Sequence, residues 1–284
     1  MTGRRARLRK VSLSLALLAS LAASGCAGDG VGQTADRTKL AESVDNLMAI
    51  ADKTMASGDR DTALKLYRDA ATAPGAGPDA MVRYGQVLFA NGAYNYAAGA
   101  FADALARRPE DGDALRGLGI SRLAEGRLDD ARKTLEQAVR ANADVRAVRD
   151  LAVLRLFEGE SDEAAALYRK ALARWPMDLD LKLDFALSLA LDGDCGQASE
   201  MAGEAVASPF ARAQNVAMDA LVLALCRQDD AAREAAAKVM NGSAIDALMK
   251  EAEVARQAIG PAARAAAVGV MPVMKRSGPE VGTK

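Results

Sequence analysis

Few residues in this sequence are of a type that could carry reaction chemistry. There is no histidine, which removes the commonest general base and the commonest metal ligand. The three cysteines are Cys26, Cys195 and Cys226, and their spacing forms no C-x-x-C site. No G-x-S-x-G elbow or phosphate-binding loop occurs. Gly117 and Gly119 start a dinucleotide-like pattern, but Arg122 stands where the next glycine is needed. The acidic pairs Asp129-Asp130 and Asp229-Asp230 fall where helices are expected to begin, and carboxylates are favourable at a partly positive helix N-terminus. That explains them better than a metal site does. No catalytic residue, metal or cofactor is assigned, and a non-enzymatic role is expected.

The elements that would position any site are helical. Aromatic residues make up only 4% of the chain, while alanine and leucine dominate. Straight-chain residues and alanine lose little rotamer freedom in a helix. The extreme N-terminus stands apart from this pattern. Arg4, Arg5, Arg7, Arg9 and Lys10 precede an apolar run, residues 11–22, which is too short for the roughly 20 residues of a transmembrane helix. The arrangement fits a secretory signal, residues 1–25. Small residues then lead to Cys26, which resembles the lipobox of bacterial lipoproteins, with Ala23 departing from the usual leucine. The resemblance implies lipidation of Cys26. Ala27 follows the cysteine in place of the aspartate that marks inner-membrane retention, so it also implies the periplasmic face of the outer membrane. Residues 26–39 read as a flexible tether. Residues 1–25 hold five of the 37 basic residues and none of the 38 acidic ones, leaving a net charge of −6 on the remainder. An acidic body of this kind argues against nucleic acid as a partner.

A longer period organises the rest. Alanine, a large residue four places on, and alanine three further recur as Ala97-Phe101-Ala104 and Ala164-Tyr168-Ala171, the first followed by Pro109 and the second by Pro176. Weaker copies start at Ala63, Ala131, Ala198 and Ala232, so the separations are 34, 34, 33, 34 and 34 residues. Twelve residues before each anchor is a small residue: Ala51, Gly85, Gly119, Ala152, Ala186 or Ala220. Small residues at these places let two antiparallel helices approach closely. Gly58, Gly92, Gly126, Gly159 and Gly193 precede five of the anchors and suit the left-handed turn that ends a helix. In the sixth unit Arg227-Gln228 replaces that glycine, and Ala202 and Ala236 replace the large residue in the last two units. Looser packing is expected there.

This period resembles the tetratricopeptide repeat (TPR) family. It implies an all-α, right-handed solenoid of six helix-turn-helix units over residues 40–242. An amphipathic helix, 243–259, with Ile245, Leu248, Met249, Ala252 and Ala255 on one stripe, is expected to cap the stack. Residues 260–284 are expected to be disordered.

In such an array the first helix of each unit lines a groove. The groove-facing places of units two to four are Val82, Gln86, Phe89, Arg116, Ile120, Leu123, Arg149, Val153 and Leu156. Their apolar content suggests an amphipathic helix or an extended apolar segment as guest, while Arg116 and Arg149 could clamp a carboxylate. Some of the nine are expected to be core. Cys195 starts the second helix of unit five and Cys226 ends the first helix of unit six, neighbouring places on one edge of a stack. A disulfide between them is expected in an oxidising compartment, the alternative being two buried thiols.

Lipobox, tether, six repeats and cap resemble the TadD family of lipoproteins from Flp/tight-adherence pilus systems, as does Arg212-Ala213-Gln214-Asn215-Val216-Ala217. The resemblance implies a pilotin-like factor that binds a secretin or another pilus component. TPR adaptors for type IV pili or peptidoglycan enzymes are the alternative, and an enzyme or ligand-binding protein is a more distant one.

Overall fold

A computed structural model of the chain describes residues 29–142 and 144–268. Cys26 and the signal segment lie outside this range. Fourteen helices and no strand occur among the described residues. Six antiparallel pairs follow one another: α1 (Asp29–Ala56) with α2 (Arg60–Thr72), α3 (Pro78–Ala90) with α4 (Tyr94–Arg107), α5 (Gly112–Ala124) with α6 (Leu128–Asn142), α7 (Val145–Phe157) with α8 (Ser161–Arg174), α9 (Leu179–Asp192) with α10 (Cys195–Val206), and α11 (Ala213–Leu225) with α12 (Asp229–Ala237). Two further helices, α13 (Gly242–Gln257) and α14 (Pro261–Ala267), complete the described chain. Each unit from α3 onwards packs on the next, which makes a tetratricopeptide-type helical solenoid. Among the described residues no helix is long and apolar enough to cross a membrane.

The turn inside each pair is made by the residues that the spacing singles out. Gly58, Gly92, Gly126, Gly159 and Gly193 have φ between +76° and +105°. Arg227 takes the same left-handed conformation in unit six, with φ 61°. A side chain there costs roughly 1–2 kcal/mol, which glycine avoids. Asp59, Asp111, Asp178 and Asp194 cap the helices that follow them by accepting a backbone N–H. The pairs Asp129-Asp130 and Asp229-Asp230 lie in the first turns of α6 and α12.

Close approach of the helices depends on missing side chains. The Phe101 ring lies between Gly85 and Gly117, where added Cβ atoms would stand 2.9 and 2.3 Å from it. Gly119 leaves room for Leu135 in the same way, at 2.6 Å. Ala202 and Ala236 are fully buried, in a core that α9 fills with Leu181, Leu183, Phe185 and Leu191.

Two boundaries differ from expectation. Helix α1 starts at Asp29, so the described part of the segment expected to be a tether is helical. No proline interrupts residues 29–56, and the glycines Gly30 and Gly32 raise the cost of a helix without blocking it. At the other end, α14 forms within the segment expected to be disordered. Pro261 occupies the first helical turn, where a missing N–H costs nothing. The Ala-Ala-Arg-Ala-Ala-Ala run behind it has the highest helix propensity of any short segment here. The proline that stops one helix equally starts the next. Residues 269–284 lie outside the described range. The cap itself, α13, buries Leu248, Met249, Ala252 and Ala255, with Ile245 partly buried.

Candidate partner-binding site

The face built by the first helices of the units carries a cavity of about 440 Å³. Helices α5, α7, α9 and α11 supply most of its lining, with Tyr168 from α8 and Val268 from the end of α14. The polar lining includes Arg116, Arg149, Asp150 and Asp184. The apolar lining includes Val153, Leu187, Met218 and Leu221. This volume is in the range of sites that take a small ligand or a few side chains of a peptide.

The charges are arranged diagonally across the repeats. Arg116 Nε lies 2.6 Å from Asp150 Oδ2, and Arg149 pairs with Asp184 in the same sense one unit on. Each arginine therefore meets a carboxylate at the following position of the next unit. Burial pushes the Asp150 and Asp184 carboxyls up from the ordinary value, and the facing guanidinium of Arg116 or Arg149 opposes the shift. Burial likewise lifts the Tyr168 phenol well above its usual range, so it stays neutral; its ring stacks on Phe185 at 5.3 Å. A second set of diagonal pairs, Arg108 with Asp79, Arg146 with Asp113 and Arg212 with Asp180, is far more exposed. Exposed pairs of this kind contribute little to stability, because water and salt screen them.

Of the nine residues expected in the groove, Arg116, Arg149, Val153 and Leu156 line this cavity. Gln86 lines a different one, with Asp52 and Arg83. The others belong to packing. Leu123 is fully buried against Leu135 and Ala131 of its own unit, and Val82 is buried in the core of units two and three. Phe89 and Ile120 are partly buried against these cores, and Phe89 also meets Tyr94 edge-on at 5.2 Å. The last turn of each first helix is covered by the second helix that folds back beside it, so the stripe of exposed positions ends a turn early. Leu156, 2% exposed, shows the same effect while still forming part of the cavity lining. The clamp expected of Arg116 and Arg149 is also revised, because both already hold carboxylates of this chain.

Asp150, Asp184, Tyr168 and Met218 are not among the expected groove residues. A signal for the aspartates is present in the sequence: they repeat at 34 residues, one place after the register that Arg116 and Arg149 define. Among the described residues no group of three Cys, Asp or Glu side chains could hold a metal ion. The cysteines are brought together: Cys195 and Cys226 form a disulfide in the structure, with Cα atoms 5.3 Å apart. The stretch from Arg212 to Ala217 proves to be structural in part. The Asn215 side chain accepts the Arg212 backbone N–H at 2.8 Å and donates to Asp180 at 2.7 Å, fixing the start of α11 on the preceding unit.

A repeated helix pair with small residues at the crossing, a turn in the left-handed region and a face of first helices defines a tetratricopeptide-type scaffold. Two sequence models of the tetratricopeptide repeat match the chain, over residues 48–111 and 88–153. No curated protein matches it. Among solved structures, a tetratricopeptide repeat protein from Parabacteroides merdae ATCC 43184 is similar with a TM-score of 0.62 and 16% identity, over 78% of this chain and 94% of that one. PilW, described as a widely conserved type IV pilus biogenesis factor, is similar with a TM-score of 0.60 and 15% identity, over 73% and 96% of the two chains. For pilF of Pseudomonas aeruginosa the values are 0.53 and 16%, over 70% and 89%. At these identities the likeness establishes the fold.

Proposed function

We infer that this chain is a non-catalytic, lipid-anchored scaffold that holds another protein at the periplasmic face of the outer membrane. The guest it fits best is a secretin subunit or another component of a Flp/tight-adherence pilus, which the chain would deliver in the manner of a pilotin. The observation that carries the reading is the cavity on the first-helix face, where apolar walls adjoin charges that this chain already neutralises. Such a surface suits an apolar protein segment better than a charged small molecule. The cationic, apolar and small-residue run ending at Cys26 supports export and anchoring. The fold is one that PilW and pilF also use. Anchoring would raise the local concentration of guest and scaffold in one plane, turning a dilute encounter into a local one.

Photo-crosslinking from Val153 and Leu221 in living cells tests the assignment. Capture of a secretin supports the pilotin reading. Capture of a peptidoglycan hydrolase overturns it in favour of the adaptor alternative, and absence of any captured protein overturns the site. Cys26→Ser is expected to move the protein from the membrane to the soluble fraction; continued membrane attachment would refute the lipid anchor.

A further inference from the structure

Four of the loops that join one unit to the next are built as the same turn. Residues 73–76, 108–111, 175–178 and 208–211 each close with the backbone N–H of the fourth residue donating to the carbonyl of the first, at 3.0–3.2 Å. The second residue is a proline in all four, Pro74, Pro109, Pro176 and Pro209, which presets the backbone for that place. The third residue forms the tip. It is Gly75, then Glu110, then Met177 and finally Phe210. A tip of this kind faces water, so folding asks there for glycine or a polar residue. The first two turns comply. Met177 and Phe210 are 77% and 78% exposed, and no requirement of the array places a large apolar side chain at either tip.

The two tips share an edge. They lead into α9 and α11, and α9, α11 and α13 pack side by side as successive first helices. Packed helices lie about 8–10 Å apart, so the loops that start them follow one another at that spacing. The loop into α13 adds Val239, which is also exposed. Beside Met177, Trp175 is partly buried against the core, with the Arg174 guanidinium over its ring at 4.8 Å. Single exposed apolar residues are ordinary on any surface, but a row of them along one edge marks an interaction surface. The row stands on turn tips instead of lining a cleft, and none of its members belongs to the first-helix cavity. The carboxylates that follow Met177 are engaged within the chain: Asp178 caps α9, and Asp180 is held by Arg212 and Asn215. Apolar tips beside an aromatic ring with a cation on its face suit the boundary between lipid headgroups and acyl chains.

We propose that the edge carrying Met177, Phe210 and Val239 docks on a phospholipid surface, with Trp175 and Arg174 at the level of the headgroups. The chain enters the array on this same edge, because every first helix starts there and α1 is one of them. Cys26 precedes Leu40 by fourteen residues, so a lipid on that cysteine holds Leu40 within about 50 Å of a bilayer at the longest. The turn tips stand without that anchor, which rests on the reading of Cys26 given above. With this edge on the bilayer the first helices point away from it, and the cavity opens sideways to a guest.

Trp175 is the only tryptophan in the sequence, so its fluorescence reports on this edge alone. The test uses the full chain purified from membranes and reconstituted in vesicles of phosphatidylethanolamine and phosphatidylglycerol, with lipids brominated high on the acyl chain as quenchers. The expected result is blue-shifted Trp175 emission that the brominated lipids quench by at least half. Met177→Ser combined with Phe210→Ser alters only exposed tips and is expected to cut the quenching at least threefold, while Glu110→Ser at the equivalent turn leaves it unchanged. A chain that floats with the vesicles without quenching, or equal quenching in the double variant, would overturn the proposal. Emission that shifts with protein concentration and not with vesicles would assign the edge to a second copy and overturn it too. Quenching that persists in Cys26→Ser supports docking by the edge itself. The mass of the purified parent chain reports lipidation separately, so failure of the anchor and failure of the docking edge are told apart.

Discussion

At the scale of single residues, the array is defined by atoms that are missing. Gly117 has no Cβ because Phe101 of the preceding unit fills the place where one would stand, 2.3 Å away. Gly117→Ala is expected to destabilise the chain by about 1–3 kcal/mol, the usual cost of overpacking a core. Gly99 sits in the interior of α4 with nothing within reach of an added Cβ. Gly99→Ala is therefore expected to stabilise by about 0.5–1 kcal/mol through helix propensity alone. Thermal or denaturant unfolding of the two variants tests the contrast; equal effects would refute the packing argument. The buried aspartates give a second residue-scale expectation. The Asp184 carboxyl is held above its ordinary value by burial, with Arg149 opposing. On the folded side it takes up a proton at higher pH than in the unfolded chain, so its contribution favours folding as pH falls. As pH drops from neutrality towards the ordinary aspartate value of about 3.9, the native chain is expected to gain stability relative to Asp184→Asn. A constant difference across that range would refute the assignment.

At the scale of elements, the sequence made the pairs legible and the ends difficult. The helix pairs can be placed because a fixed spacing repeats six times, and each repetition constrains the others. The turn glycines at 58, 92, 126, 159 and 193 fall at the close of each first helix or just beyond it. At the ends no neighbouring period exists to enforce a boundary. Gly260-Pro261 carries the signals of both a stop and a start, and only the contacts of Ala265 and Arg264 with α9 decide between them. The groove is legible as a set of helices, but less so residue by residue. Leu123 and Val153 are both assigned by repeat position alone, yet one is core and the other lines the cavity. The disulfide belongs to this scale because it joins α10 to the end of α11. It lies beside Arg227, the one non-glycine with positive φ among the described residues. Closing a loop with sequence separation 31 is expected to contribute about 3–4 kcal/mol. Cys226→Ser, or reduction of the native chain, should lower unfolding stability by that order; no change would show that the bond is absent in solution.

At the scale of the whole array, residues 40–268 behave as a sequence of neighbours. Units from α3 onwards contact the next unit, and long-range order comes from this succession, with α14 as the exception that returns to α7 and α9. Stability in such an array is close to a sum of unit and interface terms. Loss of one interface is therefore felt locally, and the damage from Gly117→Ala or Cys226→Ser should remain near its own unit.

The diagonal charge pairs also constrain how an array of this kind can be inherited. A recombination event that excised one period at unit four would remove Arg149 and Asp150 together, and would set Arg116 opposite Asp184 with its ionic contact restored. Excision of unit five would instead leave Arg149 facing Met218, a cation stranded on a thioether. The buried pairing thus survives shortening at one seam and is lost at the next, while the exposed pair of Asp113 with Arg146 is lost with unit four.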